Sequence, residues 1–218
     1  SPEIKFIIPF SDGIDSMAVA ALFEAEYPNS IQRVRVGSIG GESRRRKGDP
    51  VPFTRVPYKL RIPDHTHAES TGRSRGFKFA AISGIAAYLG DVDSILVPES
   101  GSGIFGSALT TYMHAYPDFR NSPLFFERVS RFLKSLLGRS IRYIYPRLWS
   151  TKAETILTAL HSSPELEIRN SRSCWMKQNM ASHEKKHLQC GLCAACLFRR
   201  MSFFHAGIAE KAGSYIRE

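Results

Sequence analysis

Residues 6–22 read FIIPFSDGIDSMAVAAL, and this stretch decides the fold. The apolar run suits a strand covered on both faces, the kind found in parallel sheets. Pro9 cannot donate to a sheet ladder, so the strand is expected to end close to it. A short polar turn follows, Ser11-Asp12-Gly13-Ile14-Asp15-Ser16, and a helix-like pattern then runs over 16–27 and stops before Pro28. In a parallel sheet, ligands collect beyond the carboxyl ends of the strands. Backbone N–H groups at a helix N-terminus favour an anion there. Gly13 lets the backbone approach a phosphate closely, and Ser11 and Ser16 offer hydroxyls. Asp12 and Asp15 suit such a place only if a divalent cation intervenes or a carboxylate caps backbone amides. A capped helix start with no ligand fits the same residues. No Gly-Lys-Ser/Thr follows, which excludes a Walker A loop, and the third glycine of a dinucleotide fingerprint is absent.

The pattern repeats outward. Strands are expected at 33–37, 94–99 and 141–146, with an extended segment over 51–60. Residues 74–89 predict a helix stopped by Gly90. Residues 122–137 predict another, with Ser122 as N-cap and Pro123 in the first position. A third runs from 150 to 161, capped by Ser150 or Thr151, while 101–121 reads as irregular. Alternating strands and helices give an α/β architecture with a mostly parallel sheet.

With 218 residues, 43% hydrophobic and 23% charged, the chain forms one domain, or one domain with a small appendage. It buries a sizeable core without needing disulfides. It holds no apolar run of about 18 residues, so no transmembrane helix and no membrane partner are expected. The first residues lack a secretory signal pattern and an initiator Met, which fits a processed product or a piece of a longer polypeptide. The net charge of +10 favours anionic partners, although a solvated basic face fits it as well. The densest basic run, Arg44-Arg45-Arg46-Lys47, has no aromatic interleaving, which weakens a single-strand nucleic-acid platform.

All four cysteines, Cys174, Cys190, Cys193 and Cys196, lie in one C-terminal stretch. That crowding suggests a metal in a reducing, cytoplasmic setting. Four thiolates suit tetrahedral Zn²⁺ in a structural role, and softness alone also admits an iron–sulfur cluster. His183 and His187 lie between the first two thiols and could substitute for one. His65 and His67 have metal-like spacing but read better as loop residues, and Trp149 and Trp175 read as core.

Ser11-Asp12-Gly13-Ile14-Asp15-Ser16 resembles the S-G-G-x-D-S loop of the PP-loop ATP pyrophosphatases, with Asp12 where glycine is usual. Cys190-Gly-Leu-Cys193-Ala-Ala-Cys196, followed by LFRR and FFHAGIAE, resembles the zinc module of the 7-cyano-7-deazaguanine synthase family of queuosine biosynthesis. Gly72-Arg73-Ser74 resembles that family's Arg-Asn motif, and Thr151-Lys152-Ala153-Glu154 its Lys-x-Glu element. Pro98-Glu99-Ser100-Gly101 resembles a Glu-Asn-Gly found in divergent members, and 99–121 lacks the substrate-loop pattern of an orthodox synthase.

The resemblance implies a Rossmann-like, adenine nucleotide alpha hydrolase-like sheet over 1–165 and a helical four-cysteine zinc module over 166–218. ATP and Mg²⁺ would bind at Ser11, Asp12, Gly13, Ile14, Asp15 and Ser16. Asp15, Lys152 and Arg73 would be catalytic, and Cys174, Cys190, Cys193 and Cys196 would hold Zn²⁺. The implied reaction adenylates a carboxylate, 7-carboxy-7-deazaguanine or a relative, releases pyrophosphate, and admits ammonia or another amine. A protein or tRNA acceptor, and a homodimer, are compatible with it. Two other readings stand beside it: a tRNA-modifying PP-loop enzyme of thiolase or lysidine type, and a non-catalytic zinc-bearing interaction module with a degenerate loop. Locally, Lys152 also fits an exposed helix-start lysine and Arg73 a surface arginine, while Glu99 at a strand end fits a substrate-orienting carboxylate and a solvent-facing loop carboxylate alike. Asp118 and Arg120 carry no assignment.

Overall fold

The run at 6–10 forms the central strand of a five-stranded parallel sheet in the computed structural model, which describes residues 3–38, 53–58, 74–105, 120–176, 182–183 and 186–217. The strands are β1 (Phe6–Pro9), β2 (Ile31–Ser38), β3 (Phe53–Tyr58), β4 (Ser94–Leu96) and β5 (Arg142–Ile144), in the order β3-β2-β1-β4-β5. Pro9 is the last residue of β1, where the missing donor does least harm. Both faces of β1 are covered, which is why its sequence is apolar without alternation. Ile7 packs with Val34, Ala87 and Ile95, whereas Ile8 packs with Val19, Ala20 and Leu96.

Helices α1 (Ile14–Glu26) and α5 (Lys152–Ser162) lie together on the Ile8 side. Helices α2 (Ser74–Leu89) and α4 (Pro123–Leu137) lie on the Ile7 side. Ser122 caps α4, accepting from the Phe125 N–H at 3.2 Å, and Gly138 closes it at φ +72°. The chain runs from β1 outward to β2 and β3, then returns to place β4 on the other flank of β1. The crevice beyond the carboxyl ends of β1 and β4 is therefore the topological switch point, the place where such sheets bind ligands.

The C-terminal part adds a 3₁₀ turn (Ile168–Asn170), the short pair β6 (Ser182–His183) and β7 (Lys186–His187), and α6 (Ala194–His205). Phe203 and Ala206 join Ile14, Ala18, Ile156 and Ala159 in one apolar cluster, so α6 packs on α1 and α5. The inner face of α6 also carries Arg199, 1% exposed. Its guanidinium donates to the Ser171 carbonyl at 2.8 Å, to Ser171 Oγ at 2.6 Å, to the Arg169 carbonyl at 3.0 Å and to Glu210 Oε1 at 3.1 Å. Arg199→Met strands these acceptors without a donor. It is expected to cost about 3–5 kcal/mol, read as a lower urea midpoint.

Two expectations fail. Gly101–Phe105, read as irregular, forms a short helix, α3, because Gly103 and Ile104 donate to the Ser100 carbonyl and Gly101 fits against the Leu148 carbonyl where a Cβ would collide. Trp149 and Trp175, read as core, are 87% and 70% exposed, and Trp149 lies at the rim, its ring tilted on Phe105 at 5.8 Å. No helix among the described residues is long and apolar enough to cross a membrane.

Candidate active site and thiol centre

The turn after β1 is held by its own short side chains. Ser16 Oγ donates to the Gly13 carbonyl at 3.0 Å, and the Ser11 and Gly13 N–H groups donate to Ser16 Oγ and Ser11 Oγ at 3.3 and 3.4 Å. Gly13 is the N-cap of α1 and makes no side-chain cap, so among the described residues no cap side chain takes up the first-turn amides. A Cβ on Gly13 would sit 3.2 Å from Ser11 Oγ and 3.6 Å from the Arg172 carbonyl, so the turn leaves little room for a side chain there. Asp12 adopts φ +59°, a left-handed conformation that short polar side chains tolerate best after glycine. Its carboxylate accepts from Arg35 of β2 at 2.5 Å, and its carbonyl accepts from the Arg172 N–H at 2.7 Å.

Lys152, the first residue of α5, forms an ion pair with Asp15 in the first turn of α1. Both side chains are largely buried, at 11% and 14% exposure. A capping box fixes this helix start. The Glu154 carboxylate accepts from the Thr151 N–H at 2.7 Å and hydroxyl at 2.9 Å, and Thr151 Oγ1 accepts from the Glu154 N–H at 3.2 Å. The box fixes the first turn of α5, and with it the position from which Lys152 reaches Asp15. Lys152 Nζ also lies 5.6 Å above the Phe198 ring of α6. Asp15 Oδ1 is buried and has no hydrogen-bond partner among the described residues, an oxygen that a divalent cation could take.

Glu99, which follows β4, completes the crevice. Burial raises its carboxyl to about 8; the charge of Asp15 adds to the rise, while Lys152, Arg120 and a hydrogen bond with Asn121 oppose it. The carboxylate lies against Gly103, where any Cβ would collide with it. A carboxyl raised on folding contributes stability that is complete below its unfolded value, near 4.5, and lost as pH climbs through about 8. The thermal midpoint of the wild type is therefore expected to fall between these values, and Glu99→Gln to flatten the fall. A Gln variant with the wild-type slope would contradict this. Only the strand order brings Glu99 to Asp15; locally the sequence offers its strand-end position and the Pro98-Glu99-Ser100-Gly101 resemblance.

A cleft of about 450 Å³ opens beside Lys152, with an apolar wall of Leu157, Phe198 and Met201 and with Thr151, Glu154 and His205 among its polar lining. Arg73, Asp118, His65, His67 and the Arg44–Lys47 run lie outside the described residues, as do the side chains of His183 and His187.

The four thiols do come together, with all Sγ atoms within 4.8 Å of one another and Cys190 Sγ 3.8 Å from Cys196 Sγ. Tetrahedral zinc, with Zn–S near 2.3 Å, places its sulfurs about 3.8 Å apart. A cubane cluster carries four irons, each bound by one thiolate, and so holds its thiolates farther apart than a single ion does. The set could hold a single four-coordinate metal ion. Cys174 and Cys190 sulfurs accept amide N–H groups at 3.3–3.4 Å, as thiolate ligands do. Burial alone would raise the Cys190 thiol, but the Cys193 and Leu192 amides and neighbouring thiols bring it down to about 6. Gly191 makes the tight turn between ligands at φ +81°, its Cα facing the Arg217 carbonyl.

A family model described as queuosine biosynthesis protein QueC matches residues 97–207, just over half of the chain. The matched span takes in Glu99, Lys152 and the four cysteines; the loop at 11–16 precedes it. Among solved structures, the U34-tRNA thiolase NcsA from Methanococcus maripaludis, with its [4Fe-4S] cluster, aligns with 94% of this chain at 13% identity and a TM-score of 0.46. The chain spans 66% of that protein's length. No curated protein matches the chain.

Proposed function

The chain belongs to the queuosine biosynthesis protein QueC family, a PP-loop group that uses ATP, and from that premise we propose that it is a divergent ATP-dependent carboxylate–amine ligase. The observation that carries the proposal is the Asp15–Lys152 pair, which joins the loop after β1 to the start of α5 at the switch point. The domain over 1–165 would perform the chemistry, and 166–218 would be the four-cysteine module that supports it.

ATP would lie with its phosphates over Ser11, Gly13, Ile14 and Ser16, where the first-turn amides and dipole of α1 meet negative charge. Mg²⁺ would neutralise phosphate charge and aid departure of pyrophosphate, with Asp15 Oδ1 as its protein oxygen. Lys152, positioned by the capping box, would stabilise charge developing on the phosphates. Arg73 is proposed for the same task on the strength of its motif alone. The acceptor carboxylate oxygen attacks the α-phosphorus and the α–β phosphoanhydride bond breaks, giving an acyl-adenylate and pyrophosphate. The amine then attacks the acyl carbon, loses a proton and displaces AMP. Zn²⁺ on Cys174, Cys190, Cys193 and Cys196 would be structural, since four thiolates leave no open position.

Oxygen-18 in the acceptor carboxylate tests this route. With labelled 7-carboxy-7-deazaguanine, ATP and ammonia, one label should appear in the phosphate of AMP. Unlabelled AMP, or ADP as the product, would contradict carboxylate adenylation.

A further inference from the structure

We infer that Arg35 is a positioning residue for the phosphate loop: it holds the Asp12 carboxylate against β2 and keeps that charge away from the anion at the start of α1. The inference rests on the phosphate-loop reading proposed above.

Asp12 stands where the resembling loops carry glycine, and its φ of +59° shows what that glycine is for. An aspartate meets the backbone demand at small cost but brings a carboxylate one residue before the N-cap of α1. Aspartate is among the best acceptors for first-turn amides. Left to rotate, this carboxylate would compete with a phosphate for the same N–H groups. The structure points it elsewhere. Arg35 follows Val34, the register partner of Pro9, so β2 carries its guanidinium alongside the turn that leaves β1. The guanidinium donates to Asp12 Oδ1 at 2.5 Å, and Arg35 as a whole is 9% exposed, so the pair is little screened and its geometry is set by a strand. The Arg172 N–H holds the Asp12 carbonyl at 2.7 Å from the other side. With its carboxylate held by Arg35 and its carbonyl by the Arg172 N–H, Asp12 makes no hydrogen bond to the first-turn amides of α1, and an anion meets those amides without that carboxylate among them.

The full chain, loaded with metal and Mg²⁺, tests this by calorimetric titration with inorganic pyrophosphate. Arg35→Met should weaken binding about tenfold or more, the size of one misdirected charge near a bound anion. Adding Asp12→Gly to it should restore most of the loss, because the carboxylate that Arg35 restrains is then gone. If Arg35→Met does not give a native circular dichroism spectrum, Arg35→Gln, alone and with Asp12→Gly, replaces it. Unchanged binding by the Arg35 variant overturns the inference. So does a double variant as weak as the single one, which would mean that Arg35 itself holds phosphate. Wild-type protein that binds neither pyrophosphate nor ATP overturns the phosphate-loop reading and this inference with it.

Discussion

Asp15→Ala removes ATP-dependent pyrophosphate release, by about 10³-fold or more, while the thiol centre keeps its metal. The reason is the double duty of this carboxylate. One oxygen anchors Lys152, and the other, buried at the turn where phosphates would sit, has no hydrogen-bond partner among the described residues. Removing it frees a largely buried ammonium and deletes the oxygen assigned to the divalent cation. Lys152→Ala is expected to fall nearly as far, since it takes away the cation over the same phosphates. The two losses should not add, because the residues act as a pair, and the double variant should match the worse single one. Pyrophosphate release and metal content, measured on the same preparations, check this. An Asp15→Ala enzyme with normal turnover would remove the PP-loop assignment of the site.

Cys193→Ser is the second large expected effect, and it acts on folding. Cys190, Cys196 and Tyr215 form a buried cluster edged by Cys174 and Cys193, which is a core only if something joins the sulfurs. Cys193 is also the N-cap of α6, whose Phe203 sits in the cluster shared with α1 and α5. Losing one ligand therefore loosens a helix that packs against Ile14, at the end of the turn at 11–16. Metal affinity in such modules is folding free energy, with apparent values of about 10–16 kcal/mol in small zinc peptides. The variant is expected to lose stoichiometric metal, to melt well below the wild type and to be poorly soluble. A folded, fully active, metal-free Cys193→Ser protein would contradict a structural metal.

Some of this was legible in the sequence because its causes are local. The strand at 6–9 is apolar on both faces since it is central, and the turn that ends it is short and polar since a helix starts there. Ser122-Pro123 and Thr151 through Glu154 announce their helices because capping is chemistry between residues three apart. The four thiols are likewise a local pattern that the fold closes into one set. What escaped has distant causes. Gly101 enters a helix because it fits against the carbonyl of Leu148, far along the chain. Trp149 and Trp175 read as core from their size, yet both stand on segments that leave them facing solvent. Glu99 acquires its raised carboxyl from burial at the switch point and from Asp15, neither visible near residue 99. The Asp12–Arg35 pair joins the turn after β1 to β2 across 23 positions, so the departure at Asp12 reads in sequence as an unexplained charge.

The most direct test of the central claim is to identify the products of ATP. Metal-assayed protein with ATP and Mg²⁺ is followed for AMP, ADP, phosphate and pyrophosphate, with and without 7-carboxy-7-deazaguanine and ammonia. Cleavage between the α and β phosphates, giving AMP and pyrophosphate in equal amounts and only with the acid present, is expected. ADP and phosphate as products, or no ATP turnover by protein whose thiol centre is fully loaded, would contradict it.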